Sequence, residues 1–170
     1  VGDFSGASGY YTGRAAEISL FDKKPVYEFP ATDGNVEVIV PDGNGGWFMG
    51  GSFFTVGGIT QRRLAHILPN YQLDTNFNPD PNGTVNTIAV FNDTMMFGGT
   101  FTQVGGQPRS RLASFDMSAG TLTSWNPGAN GTVNALWVKD NKVFVGGNFT
   151  YLDSNFVSRL GMIDKVTGEV

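Results

Sequence analysis

The chain has 170 residues, enough for one domain with a real core, and 40% hydrophobic residues with 14 Phe can supply it. A formal net charge of -4 with no basic run argues against a nucleic-acid surface, which needs clustered Lys and Arg. The absence of Cys excludes disulfides, thiolate chemistry and cysteine zinc sites. No apolar run approaches the roughly 20 residues of a membrane helix.

Taken in chain order, the sequence says nearly the same thing four times. VGDFSG opens it, FMGGSF stands at 48–53, MFGGTF at 96–101 and VFVGGNFT at 143–150. Gly51, Gly99 and Gly147 lie 48 apart, and Gly2 precedes Gly51 by 49; Arg14, Arg63, Arg111 and Arg159 step in the same way. The one extra residue falls in PDGNGG, residues 41–46, where the later copies have shorter tips, so the repeat length is 48 with an insertion in a surface turn.

Residues 1–33 predict strands two to four of a first copy. Residues 34–81 and 82–129 predict complete copies, and 130–170 strands one to three of a fourth. In the third copy, TVNTIAVF (84–91) is the first strand and MMFGGTF (95–101) the second. A Gly/Pro-rich loop, TQVGGQPRS, separates them from RLASFD (111–116), the third strand, and TLTSW (121–125), the fourth. In the fourth copy TVNALWV (132–138) is apolar on both faces, with Val133, Ala135 and Trp137 on one and Leu136 and Val138 on the other. A strand apolar on both faces is one covered on both faces. Four short antiparallel strands per copy, the first buried on both sides, predict an all-β chain of the β-propeller type, with a flat solenoid of sheets as the alternative. Two full blades and two partial ones make an incomplete ring, so the chain reads as a segment of a longer protein or larger assembly.

The GGxF strand, the Arg-Leu strand after it and the NPxxNGTV connection resemble the delta-60 repeat family of bacterial β-propeller proteins. The resemblance covers essentially the whole chain and is weakest in the first copy, where EFPATDGNV replaces FNPDPNGTV. It implies a secreted or surface-attached propeller, and a shared fold carries no function with it.

Candidate sites follow from what recurs and what does not. The recurring arginines Arg14, Arg63, Arg111 and Arg159 read either as a ring of anion-binding guanidinium groups or as one structural Arg per blade; a residue every blade has is more simply explained by what every blade needs. Arg62 and Arg109 do not recur and read as surface residues. The Gly pairs lie within strands, with no Lys-Ser/Thr or helix start after them, so close packing explains them better than phosphate binding. PDGNGG has Asp and Asn at alternating positions, but the place of the closing Glu of an EF-hand is taken by Phe53, so a hairpin turn is the better reading and no metal or other cofactor is expected. Four Asn-x-Ser/Thr triplets, at Asn82, Asn92, Asn130 and Asn148, are candidate N-glycosylation sites; Asn82 and Asn130 share one repeat position and read equally as turn formers. His66 is the only histidine and occurs in one copy, which leaves no His-based catalytic set and suggests a tolerated strand residue. No carboxylate pair can be nominated for hydrolysis.

The expected function is that of a non-catalytic extracellular or cell-surface scaffold that meets protein or glycan partners through loop tips, with Gln61, Gln107, Tyr151 and Asp153 as exposed candidates. No nucleic-acid partner and no membrane span are expected. A structural segment of a surface fibre is the second reading. A propeller enzyme whose site lies partly outside these residues is the third.

Overall fold

A computed structural model describes residues 16–26 and 28–170 in full, with the backbone of 6–7 and 10–11. Arg14 lies outside the described residues, with the rest of 12–15 and with 1–5, 8–9 and 27 of the first predicted copy. Among the described residues every regular element is a strand, and no helix is long and apolar enough to cross a membrane. The chain divides into two compact units, Val1–Asn78 and Pro79–Val170.

In the first unit β1 (Gly6–Ala7) and β2 (Tyr10–Tyr11) pair as a short hairpin. β3 (Val36–Pro41) and β4 (Trp47–Gly51) follow, then a small hairpin of β5 (Thr55–Val56) and β6 (Ile59–Thr60), then β7 (Leu64–Ile67). β3, β4 and β7 make an antiparallel sheet in that order, and a bridge from Ile67 to Leu73 stands where a fourth strand is expected. Val36, Met49, Ala65 and Ile67 pack with Phe29 in one core, with Tyr71 and Leu73 against it.

The second unit contains β8 (Val85–Phe91), β9 (Thr94–Gly99), a hairpin of β10 (Gln103–Val104) and β11 (Gln107–Pro108), β12 (Leu112–Asp116) and β13 (Thr121–Leu122). These give a four-stranded sheet of order β13-β12-β9-β8 beside the hairpin. β14 (Val133–Lys139), β15 (Lys142–Gly147), a hairpin of β16 (Tyr151–Leu152) and β17 (Asn155–Phe156), and β18 (Leu160–Asp164) repeat the plan, with sheet order β14-β15-β18. The two sheets share one core in which Met96 and Leu112 meet Val133, Val143, Val145 and Ile163. The Trp125 indole also donates to the Asp164 carbonyl at 3.1 Å, tying the end of one sheet to the next.

The structure departs from the sequence expectation in three places. The Gly-rich segment after each second strand is a hairpin rather than a plain loop. Its turn residues, Gly57-Gly58 and Gly105-Gly106, all have positive φ, which glycine adopts without a Cβ penalty. Second, a bulge interrupts each first strand: Val133 opposes Gly147 while Ala135 opposes Gly146. Opposite residues on β15 alternate faces, so Val133 lies on the face of Leu136 and Val138, not with Ala135 and Trp137. Third, of the fourth strands expected in the two complete copies, one is two residues long and the other is reduced to the single bridge from Ile67 to Leu73.

The bulges also explain the recurring second glycine. A Cβ at Gly51, Gly99 or Gly147 would lie 2.0, 1.9 or 2.1 Å from the carbonyl oxygen of Asn35, Thr84 or Thr132. Backbone meets backbone there, so only glycine fits.

Candidate functional site

Between the β12 sheet and the last small hairpin the second unit carries an open polar groove of about 360 Å3, lined by Ser110, Arg111, Pro127, Gly128, Ala129, Asn130, Tyr151, Asp153 and Ser154. A recess of about 190 Å3 adjoins it, sharing Pro127 and Asp153 and adding Ser124, Asn126, Thr167 and Glu169 among its walls. Four residues singled out in the sequence, Arg111, Asn130, Tyr151 and Asp153, therefore meet at one place.

The hairpin of β16 and β17 forms one wall and is fixed from below. Leu152 is fully buried and bridges to Ala129. The Asn130 side chain braces the strand entry: its Oδ1 accepts from the amides of Thr150 and Tyr151 at 2.8 and 2.9 Å, and its Nδ2 donates to the Thr150 hydroxyl at 2.9 Å. The Asp153 amide donates to the Gly128 carbonyl at 3.2 Å. At the tip stand Asp153 and Ser154, with φ of 40° and 66°. The sister hairpins have Gly-Gly in those positions. Two L-residues held in the left-handed region cost conformational energy that the glycines avoid. Tyr151 is exposed and meets the ring of exposed Phe156 edge-on at 5.6 Å, which leaves an aromatic surface beside the tip.

Arg111 forms part of the opposite wall. Its Nη1 donates to the Ala129 carbonyl at 2.9 Å, and the Ala129 amide donates to the Ser110 carbonyl at 2.8 Å. All three described members of the recurring set, Arg63, Arg111 and Arg159, share one backbone device. Each has φ between 61° and 69°. Each amide donates to a Phe carbonyl (Phe53, Phe101, Phe149), and each carbonyl accepts from the second glycine of the pair. Their side chains differ: Arg63 lies 4.6 Å over the Phe54 ring, Arg111 faces the groove, and Arg159 is exposed.

The other sequence candidates have different fates. Gln61, expected at an exposed loop, is only 3% exposed; its Nε2 donates to the carbonyls of Leu64 at 2.7 Å and Phe77 at 3.1 Å. Arg109 holds the same repeat position and, against its reading as a surface residue, is 8% exposed, donating to the carbonyls of Pro108 and Thr123. A long polar donor is needed there to satisfy carbonyls where the ladder stops. Gln107 is exposed on β11, away from the groove lining. Asn82 repeats the brace of Asn130, accepting from the amides of Thr102 and Gln103, and in the first unit Asp33 does so with the amides of Phe54 and Thr55. Asn92 is exposed at the tip between β8 and β9, and Asn148, expected in a packed strand, is exposed just after β15.

One constellation escaped the sequence reading. His66 on β7 bridges two carboxylates, with Nε2 3.1 Å from Asp42 and Nδ1 3.0 Å from Asp74, while its ring stacks on Phe48 at 4.4 Å. Burial pushes the Asp42 carboxyl up, but the His66 hydrogen bond and the Asn44 and Gly46 amides outweigh it and hold the group below the usual carboxylate range. The cluster is a structural clamp on the enlarged turn. Among the described residues no group of three or more His, Cys, Asp or Glu is arranged to hold a metal ion.

No curated protein and no solved structure matches the chain. Residues 68–170, more than half of it, match the Rax2 C-terminal beta propeller domain. The chain belongs to the family of the Rax2 C-terminal beta propeller domain.

Proposed function

We propose that this propeller segment is a non-catalytic recognition scaffold working outside the cell, and that the groove at Tyr151 and Asp153 takes a glycan. The observation that supports this most is the tip Asp153-Ser154. A carboxylate and a hydroxyl stand there in left-handed backbone where two sister hairpins have glycine. Strain retained at an exposed tip, beside an aromatic surface and a guanidinium, is an arrangement suited to ligand contact rather than to folding. The lining supports a sugar in particular: hydroxyls, an amide and a carboxylate to bond ring hydroxyls, and an aromatic face for the apolar side of a pyranose. Kinship with the delta-60 repeats belongs to the same reading, carried by the GGxF, Arg-Leu and NPxxNGTV motifs.

The test is a glycan array followed by calorimetry on the hits. The wild-type chain is compared with Tyr151→Ala and with the double variant Asp153→Gly, Ser154→Gly. Selective capture that both variants lose supports the assignment. Capture unchanged in both, or none at all, removes it.

A further inference from the structure

The turn from Ser19 to Lys24 lies in the first unit, above a bridge between Ile18 and Pro25. Its frame is one that the chain builds three times. The Lys23 amide donates to the Ser19 carbonyl at 2.9 Å, as the Gly120 amide does to Asp116 at 2.9 Å and the Gly168 amide to Asp164 at 3.0 Å. The Ser19 hydroxyl accepts from the Asp22 amide at 3.4 Å, where Asp116 and Asp164 accept from the amides of Ala119 and Thr167. The Ser19 amide donates to the Lys24 carbonyl at 2.9 Å, and the Lys24 amide to the Asp22 carboxylate at 3.3 Å. Backbone and short polar side chains therefore close this turn. The side chains of Leu20 and Phe21, at its apex, take no part in these bonds.

What stands on the shared frame differs from copy to copy. Leu20 is 96% and Phe21 99% exposed, where the sister turns have Met117-Ser118 and Lys165-Val166. Exposure is a property of the turn itself: Ser118 and Ala119, in a copy with repeats before and after it, are exposed as well. Lys23 has a φ of 60° where Gly120 and Gly168 have 67° and 80°. A Lys is thus held in left-handed backbone that glycine occupies without a Cβ penalty. Lys23-Lys24 is the only adjacent Lys pair in a chain of net charge -4, and among the described residues neither ammonium has an ion-pair partner. Two apolar side chains in water and a strained Lys do nothing to close the turn that carries them.

We infer that this turn docks on a lipid surface: Leu20 and Phe21 enter the headgroup–acyl boundary of a bilayer, and Lys23 and Lys24 meet its anionic headgroups. The order of polarity on the turn is that of a membrane, apolar at the apex and cationic at the base. Long Lys stems let the ammonium groups stay at the headgroups while Leu and Phe go deeper. The apolar part is also a bare apex of two residues, bounded by Ser19 and Asp22. A protein interface of standard size needs a broad packed surface around such anchors, whereas fluid hydrocarbon closes around them without one. An apolar contact joined to a basic pair supplies the two signals that peripheral attachment needs, with no segment crossing the membrane. The groove at Tyr151 and Asp153 lies in the second unit and is a separate site.

The test is sedimentation of the full chain with vesicles of phosphatidylcholine containing about one-third phosphatidylserine, and with phosphatidylcholine alone. Wild type should bind the mixed vesicles, and the double variant Leu20→Ser, Phe21→Ser should bind them at least about tenfold more weakly with its melting temperature unchanged. Lys23→Gly should weaken binding to the mixed vesicles about fivefold, leave any binding to phosphatidylcholine alone unchanged, and melt no lower than wild type. Because the chain has no Cys, Phe21→Cys and Ser118→Cys each give a single thiol for a polarity-sensitive fluorophore. The fluorophore on the first turn should brighten when vesicles are added, and the one on the sister turn should not. No binding by wild type, or equal binding by wild type and the double variant, overturns the inference. So does brightening with protein concentration alone, which would make a second copy the occupant, or a lower melting temperature in the double variant, which would give Leu20 and Phe21 a part in the fold.

Discussion

Replacing Asp153 and Ser154 together by glycine should make the protein more stable while removing its proposed contact surface. Both residues sit at positive φ, and an L-residue in that region costs roughly 1–2 kcal/mol, less for Asp. Against that gain, each added glycine enlarges the unfolded ensemble and costs about 0.4–1 kcal/mol. No side-chain contact offsets the gain: the hydrogen bonds at the tip run from the Asp153 amide to Gly128 and from the Asn155 side chain to the Asp153 carbonyl, and glycine keeps both. The net expectation is a stabilisation of about 1 kcal/mol, or about 2–4 °C in melting temperature for a chain of this size. Thermal melts by circular dichroism and urea titration both resolve it. A loss of 1 kcal/mol or more would show that the two side chains hold the hairpin together, and the argument from retained strain would fail.

The remaining predictions address the repeat, its polar braces and the acid response. Gly99→Ala should cost about 3–5 kcal/mol, because its Cβ would meet the Thr84 carbonyl at 1.9 Å, backbone against backbone; a urea midpoint within error of wild type would refute that packing. Arg109→Ala should cost about 1–3 kcal/mol by leaving the Pro108 and Thr123 carbonyls without their donor, and Arg109→Gln should recover much of it, as Gln61 serves the same position. The Asp42 carboxyl lies below its ordinary value in the folded protein, so its contribution is present above the unfolded value of about 3.9 and is lost as pH falls through the folded one. Melts of wild type and Asp42→Asn should therefore keep their gap from pH 6 down to about pH 4 and converge only as pH falls further, through the folded value; a gap unchanged through that acid range would show that charge has no part in the clamp.

The repeat made the strands legible, because a 48-residue period, paired glycines and turn residues at fixed offsets are local signals that four copies average. What stayed hidden was set by single residues. The bulge at Asn134 turns Val133 to the opposite face, and nothing in a pattern of alternating apolar residues marks where the alternation skips. TQVGGQPRS reads as a loop although its Gly-Gly is itself a hairpin-turn signal, outweighed by the Pro and polar residues around it. Gln61 and Arg109 looked exposed because long polar side chains usually are, and only the broken ladder around them shows why they turn inward. His66 is the opposite case. Asp42 and His66 both belong to the one copy with an enlarged turn, so their meeting leaves no trace in the period.

In a repeat protein, then, recurrence and departure carry different information. The glycines, the Asn and Asp braces and the left-handed arginines recur because every sheet has the same backbone problem to solve, and they are explained by hydrogen bonds that repeat with them. Chemistry specific to one place has to come from a position where the copies disagree. The tip where Gly-Gly becomes Asp-Ser is such a position, and so is the turn where Lys23 stands in the place of Gly120 and Gly168, below Leu20 and Phe21. The first departure adds polar groups to a groove at a conformational cost, and the second adds apolar and basic side chains to an exposed turn at a similar one. Neither helps this chain to fold by itself, and a change that costs stability without helping the fold is where a contact with something else is to be sought.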